Sequence, residues 1–307
     1  MSQTKLDRRR LIAGMATTLV APAWIPQRSE AQSSFSFVHI TDTHIQPELR
    51  AKEGVRKAFD AIRVLPEKPE FALVGGDIVM DVNVTDRKRA EGIYDLWQEA
   101  AASLGIPVHY SVGNHDAFAL GGPEKLPENH PDFGKKWWMK RLGLSERFGS
   151  FEKHGWRFVM LDSVRIDGDG NWWGELDSEQ LTWLDDLLRK SGDQPMVFLT
   201  HIPLMTIHGL YTGGTTQAMT AGTIVKNGKA VQEMIRGKNV KAVLQGHTHV
   251  VEECAYLGTR YITGGAVCGE WWKGPRLGVH PEGFGVVTVR GNELTYRYVS
   301  YGWKASL

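Results

Sequence analysis

Phe35-Ser36-Phe37-Val38-His39-Ile40-Thr41-Asp42-Thr43-His44 is a run of strand length that ends in two side chains able to bind a metal. The apolar residues through Ile40 fit an extended segment, with Asp42-x-His44 just beyond its carboxyl end. The same arrangement recurs. Phe71 to Val74 runs into Gly75-Gly76-Asp77, Pro107 to Val112 into Gly113-Asn114-His115-Asp116, Pro195 to Leu199 into Thr200-His201, and Val240 to Leu244 into Gly246-His247-Thr248-His249. Between these runs lie helical patterns: Val55, Phe59, Ile62 and Leu65 ahead of Pro66, then Ile93, Leu96, Trp97 and Leu104 within residues 86 to 104, then Leu176 to Leu188. Their spacings of three and four place the apolar side chains on one face. Strands alternating with helices predict an α/β sheet, in which loops at the carboxyl ends of the strands converge on one site.

The last sixty residues break this rhythm. Tyr261-Ile262-Thr263, Val286 to Val289 and Leu294 to Val299 read as hairpins without intervening helices. The expected fold is therefore α/β, a mixed two-sheet β sandwich flanked by helices in four layers (αββα). Ala117 to Lys136 and Leu204 to Lys226 are rich in turn residues and leave directly from polar motifs, so both are expected to form rims of the site.

Composition narrows the class of partner. The 307 residues, 42% hydrophobic and 23% charged, are those of a folded globular protein. Residues 1–31 differ in kind: Arg8-Arg9-Arg10 precedes an apolar run from Leu11 to Ile25, interrupted by Gly14, Thr17, Thr18 and Pro22. That run falls short of the roughly 20 residues of a membrane span and reads as an export signal. Asp7-Arg8-Arg9-Arg10-Leu11-Ile12 resembles a twin-arginine signal, and Ser29 and Ala31 place cleavage before Gln32. The expectation is passage through the twin-arginine export machinery to the periplasm, with no membrane anchor after cleavage and one mature domain over 32–307. The general secretory route, an uncleaved anchor and secretion are the alternatives.

Loss of residues 1–31, with five basic and two acidic side chains, leaves 31 basic against 33 acidic and a formal charge of −2. Without a basic stripe there is no electrostatic case for nucleic acid, and a small molecule is the expected partner. Cys254 and Cys268 are too few to form a disulfide framework, and one bridge or two free thiols both remain open.

Asp42, His44, Asp77, Asn114, His201, His247 and His249 together offer carboxylate, imidazole and amide donors and no thiolate, a set suited to Fe, Mn or Zn. Five of the eleven histidines lie in these motifs, which argues against residues merely satisfied in a core. In this order, over residues 35–250, the motifs resemble the calcineurin-like metallophosphoesterase superfamily. The resemblance implies the four-layer fold and two divalent or trivalent ions (Fe, Mn or Zn). It puts Asp42, His44 and His249 on one ion, Asn114, His201 and His247 on the other, and Asp77 between them. It also implies hydrolysis of phosphate esters by a bridging hydroxide. Two cations about 3.5–4 Å apart repel, and a shared carboxylate and hydroxide offset that repulsion while placing a nucleophile in line with phosphorus. His115 resembles the family's non-ligand histidine, which contacts phosphate or protonates the departing alkoxide. Asp116 is expected to orient His115 and raise its pKa. The alternative is that Asn114-His115-Asp116 is only a polar turn.

Met80 stands three residues after Asp77, where purple acid phosphatases carry a metal-binding tyrosine, and this argues against a tyrosinate-iron centre. The Gly-Asn-His-Asp form resembles the phosphodiesterase branch, including cyclic-nucleotide phosphodiesterases. A phosphodiester is the expected substrate, with a phosphomonoesterase and a non-catalytic metal-bound binding module as alternatives. Of the tryptophan pairs at 137–138, 172–173 and 271–272, core packing is expected for most, and Trp271-Trp272 has the best claim to the rim. Asp167-Gly168-Asp169-Gly170-Asn171 is expected to be a turn, because Trp172 and Ser178 stand where a calcium loop needs glycine and glutamate. Asp81 is expected to cap a turn, and His208 and His280 to be loop residues without an assigned role.

Overall fold

The computed structural model describes residues 34–306, so the expected export signal and cleavage point lie outside the described residues. In chain order the elements are β1 (Ser34–Ile40), α1 (Ala51–Arg63), β2 (Ala72–Val74), α2 (Arg87–Leu104), β3 (Val108–Tyr110), α3 (Lys135–Leu142), β4 (Gly149–Lys153), β5 (Trp156–Met160), β6 (Val164–Ile166), β7 (Trp172–Gly174) and α4 (Ser178–Lys190). They continue with β8 (Met196–Leu199), α5 (His208–Gly213), α6 (Gly228–Ile235), β9 (Val240–Gln245), β10 (Val251–Tyr256), β11 (Thr259–Gly264), β12 (Gly283–Arg290) and β13 (Glu293–Ser300). Among the described residues no helix is long and apolar enough to cross a membrane.

One sheet has the order β13-β12-β1-β2-β3, with β1, β2 and β3 parallel and β12 antiparallel to β1. The other has the order β10-β11-β9-β8-β5-β4, parallel from β11 to β5 and antiparallel at both edges. The period-two alternation of side chains explains how the sheets stack. Phe35 and Phe37 of β1, Leu73, Val197, Leu199, Ala242, Leu244, Val287 and Val289 face inward and meet Trp156 and Phe158 in the sandwich core. Their neighbours Val38, Ile40, Ala72 and Val74 face outward onto Val55, Phe59 and Ile62 of α1 and Ile93 and Trp97 of α2. On the far side Val159, Phe198 and Val243 pack on Leu184, Leu188, Val231 and Ile235 of α4 and α6. The expected four layers are thus present, and their central strands are buried on both faces.

Helix boundaries follow local chemistry. Asp86 and Asp177 cap α2 and α4, accepting from the backbone N–H of Arg89 and Gln180 at 2.9 and 3.0 Å. Gly54 in the middle of α1 is required by packing, since a Cβ there would collide with the Trp272 ring. Short elements escape the sequence pattern: the β4–β5 hairpin completes the second sheet, and α3 buries Trp137 and Trp138 in the core. Cys254 and Cys268 are both free thiols.

Candidate metal centre

All five motif-bearing strands point their carboxyl ends at one place. The backbone there is unusual: Asp42, His44, Asp77, His247 and His249 all adopt positive φ, between 38° and 71°. Non-glycine residues avoid this region, and where they cluster in it the surrounding structure holds them for a purpose. Tight approach is also built in. A Cβ on Gly113 would collide with the backbone N and Oδ1 of Asp77, and one on Gly246 with Thr41 Oγ1 and the Asp42 carboxylate. These two glycines let the loops after β3 and β9 close onto the loops after β2 and β1.

The seven expected donors come together, all but His247 buried. His249 Nε2 lies 3.3 Å from Asp42 Oδ1 and 3.2 Å from His44 Nε2, and His44 Nε2 lies 3.6 Å from Asp77 Oδ2. On the other side of Asp77, the same Oδ2 lies 3.1 Å from His201 Nε2, which is itself 3.1 Å from Asn114 Oδ1 and 3.3 Å from His247 Nδ1. One carboxylate oxygen is therefore shared by two groups of donors.

Hydrogen bonds behind the rings set their tautomers. His201 Nδ1 donates to Gly75 O at 2.8 Å and His249 Nδ1 to Gly269 O at 2.6 Å, while His247 Nε2 donates to Gly222 O at 2.8 Å. Backbone partners of this kind orient metal-binding imidazoles and leave the opposite nitrogen's lone pair facing inward. His201 Nε2, His247 Nδ1, Asp77 Oδ2 and Asn114 Oδ1 then converge as four acceptors with no donor among them. A cation fits such a set, and protons are the other way to satisfy it. Burial opposes charge on His201, but Asp77 and Asp42 outweigh burial and lift its pKa to about 9. Burial and the adjacent His201 push His247 down to about 4. Burial would raise Asp42, yet His249 holds it to about 2.

Cys268 was not read as a donor, and the structure explains its position. Its Sγ lies 3.9 Å from His249 Nδ1, behind the ring and 3.6 Å from Gly269 O, and burial raises the thiol pKa. It supports the ring from the side opposite Nε2.

The role expected of Asp116 needs correction. Its carboxylate does not bond the His115 ring. Oδ1 accepts from the backbone N–H of Ile78 at 2.8 Å and Val79 at 3.3 Å, and Oδ2 from Asp77 at 2.9 Å and Gly113 at 2.8 Å. Asp116 is a brace joining the loop after β2 to the loop after β3. The turn that projects His115 outward sends the next side chain inward, where four N–H groups await it. Burial and the Asp77 charge raise its pKa, against those donors, which favour the ionised form.

The carboxylate on His115 is Asp81, with Oδ1 2.6 Å from Nδ1, so Asp81 does more than cap a turn. The His115 backbone N–H donates to Asp77 Oδ1 at 2.9 Å, which ties the ring to the shared carboxylate. Burial lowers the His115 pKa, but Asp77 and Asp81 outweigh it and the net shift is upward.

These groups open into a cleft of about 200 Å³ whose lining includes His115, Trp172, His208, Thr223, Trp271 and Arg276. Trp271 stands 5.4 Å from the His249 ring and 6.2 Å from His44, fulfilling its claim to the rim, while Trp272 is buried and donates to His44 O. Trp172, 5.8 Å from His247, reaches the opposite side and was not anticipated. Arg276 was missed as well: Nε donates to Thr248 O and Nη1 to both oxygens of Glu270. Of the two expected rims, Leu204 to Lys226 contributes His208, Thr223 and the Gly222 carbonyl. Ala117 to Lys136 does not line the cleft; Ala117, Leu120 and Phe133 pack behind Trp172. Asp167 forms the expected turn, accepting from the N–H of Asp169 and Asn171 at 2.9 Å.

The sequence matches the family model described as Calcineurin-like phosphoesterase over residues 35–251. Serine/threonine-protein phosphatase CPPED1 of Bos taurus is 27% identical over 264 residues, 83% of this chain and 74% of that protein. A 3',5'-cyclic-nucleotide phosphodiesterase of Nostoc sp. is 25% identical over 216 residues, 70% of this chain and 71% of that one. Among solved structures, a dimetal phosphatase from Danio rerio superposes with a TM-score of 0.59 at 17% identity, covering 87% of this chain and 99% of that chain, a likeness of fold.

Proposed function

The chain belongs to the calcineurin-like phosphoesterase family, and on that premise we propose that it is a two-metal hydrolase of small phosphodiesters. The observation that carries this reading is the position of Asp77 Oδ2, 3.6 Å from His44 Nε2 and 3.1 Å from His201 Nε2. Asp42, His44 and His249 would hold one ion, Asn114, His201 and His247 the other, and Asp77 both. Fe, Mn and Zn all accept this donor set. When bound, the ions supply charge stabilisation for phosphoryl oxygens and activate water as the nucleophile near neutral pH.

The chain's own residues do the rest. The backbone partners Gly75 O, Gly269 O and Gly222 O hold three imidazoles in register. His115 opens on the cleft, holds its proton to higher pH because of Asp77 and Asp81, and delivers it to the departing oxygen. The preference for a diester over a monoester rests on relatives named phosphodiesterases, such as the 3',5'-cyclic-nucleotide phosphodiesterase of Nostoc sp..

Mn(II)-loaded protein is expected to cleave bis-p-nitrophenyl phosphate with kcat/KM at least about tenfold above p-nitrophenyl phosphate, on the order of 1.4 kcal/mol of discrimination. Cleavage of the monoester alone would replace the diesterase with a phosphomonoesterase. Turnover of neither would return the protein to a binding role. Arg8-Arg9-Arg10 and the following apolar run are the grounds for placing this activity in the periplasm, and its appearance in the cytoplasmic fraction alone would refute that placement.

A further inference from the structure

An exposed apolar patch adjoins two of the residues that line the cleft, His208 and Arg276. Among the described residues the exposed large hydrophobic side chains are Leu49, Val64, Val84, Ile207, Leu210, Tyr211, Tyr256, Leu277 and Val279. Five of these nine fall on two short stretches, Ile207 to Tyr211 and Leu277 to Val279, and Val279 is 71% exposed. Such clustering of costly exposed surface marks a binding face, whereas isolated apolar residues do not.

The two stretches are adjacent, and each is joined to the cleft. The rings of Tyr211 and His280 lie 6.1 Å apart. His280 Nδ1 accepts from the Val251 N–H at 3.2 Å, and Glu252 Oε2 from the Ile207 N–H at 3.3 Å, so both stretches are anchored on β10 directly after the His247-Thr248-His249 motif. His208 follows Ile207 and Arg276 precedes Leu277, and both of these polar residues line the cleft.

The geometry points to a phosphodiester with an aliphatic tail as the substrate class. The phosphate enters beside His115 and Asp77, while the tail lies across Ile207, Leu210, Tyr211, Leu277 and Val279. The occupant is identified by continuity: the patch adjoins the cleft at His208 and Arg276, so the substituent of a phosphate ester bound there can extend over it. This assignment rests on the phosphoesterase reading above.

The test uses p-nitrophenyl alkyl phosphodiesters with methyl, butyl and octyl chains, each below its micelle concentration, on Mn(II)-loaded full-length protein. Water adds at phosphorus, the bond to the nitrophenyl oxygen breaks, p-nitrophenolate leaves, and the alkyl phosphate remains. Full burial of a methylene is worth roughly fourfold in binding, and a tail half covered by an open patch about twofold. KM is therefore expected to fall about eightfold from methyl to butyl. Calorimetric binding of butyl and methyl phosphonate should show the same ratio without turnover. In L210S/V279S the dependence on chain length should flatten while kcat/KM for the methyl ester is retained.

Methyl ester hydrolysis with no chain-length dependence overturns this inference alone. Failure to hydrolyse any of the diesters overturns the phosphodiesterase reading beneath it. A wild-type dimer that becomes monomeric in L210S/V279S by sedimentation velocity, with unchanged chain-length dependence, assigns the patch to a second copy of the chain and also refutes the inference.

Discussion

Asp116→Asn separates the role the structure assigns to this residue from the one its sequence position suggests. The side chain is fully buried, and its two oxygens accept four backbone N–H groups from Asp77, Ile78, Val79 and Gly113. An amide keeps the shape but turns one acceptor into a donor. Whichever way it is oriented, two of the four N–H groups then face an NH2 group and lose their partner. Each buried N–H left unpaired costs about 1–3 kcal/mol, so the pair costs on the order of 4 kcal/mol. For a domain of this size that lowers Tm by on the order of 10 °C. Asp77 and Gly113 would shift with the broken brace, and metal retention should fall about 10- to 100-fold, as when an outer partner of a ligand is removed. The assay combines thermal unfolding in chelator, metal content after dialysis, and the pH–rate profile with a dialkyl phosphodiester, whose departing alkoxide needs a proton. Tm and metal content should drop, and the alkaline limb of the profile should stay in place. Unchanged Tm and metal content with a displaced limb would refute the reasoning and restore Asp116 as the partner of His115.

Asp81→Asn should do the converse. The upward shift of His115 keeps its proton in place to higher pH, so activity that needs this proton is lost as pH rises through the His115 pKa. Removing the half-exposed Asp81 charge should move that alkaline limb to lower pH by about one unit, with Tm little changed, and an unmoved limb would exclude the pair. His115→Ala should lower kcat by about 10²- to 10⁴-fold for an alkyl leaving group, with a smaller loss for p-nitrophenolate, which departs without a proton; equal losses would argue against proton donation. Gly113→Ala would force a Cβ into Asp77 N and Oδ1, so that variant should purify with less than half the wild-type metal, and full metal content would contradict the close approach. Stripping metal should lower Tm by on the order of 10 °C, equivalent to about 4 kcal/mol at a thousandfold excess over Kd, whereas an unchanged Tm would show that the donors are satisfied without ions.

The architecture was legible where a strand and its motif are neighbours in sequence. β1, β2, β8 and β9 each carry an apolar run that burial on both faces makes conspicuous, and β3, a half-buried edge strand, was legible from Pro107 to Val112 leading into its motif. The hairpin of β4 and β5 was not, because the edge strand Gly149–Lys153 carries one large apolar side chain, Phe151, and its alternating exposure leaves little hydrophobic pattern in the sequence. The site divides in the same way. Asp42, His44, Asp77, Asn114, His201, His247 and His249 sit at strand ends and could be placed together from topology. Which carboxylate meets His115 could not be read, because the residue adjacent in sequence folds back onto backbone N–H groups and the actual partner arrives from 34 positions away. Trp172 and Arg276 reach the cleft through the β6–β7 hairpin and a turn before β12, where chain direction is set by tertiary packing and not by local pattern.

Anomalous X-ray scattering from crystals grown with Mn(II) tests the shared carboxylate most directly. Two peaks about 3.5–4 Å apart, one on each side of Asp77, are expected, one bordered by Asp42, His44 and His249 and the other by Asn114, His201 and His247. A single peak, or peaks that do not touch Asp77, would contradict the two-metal account.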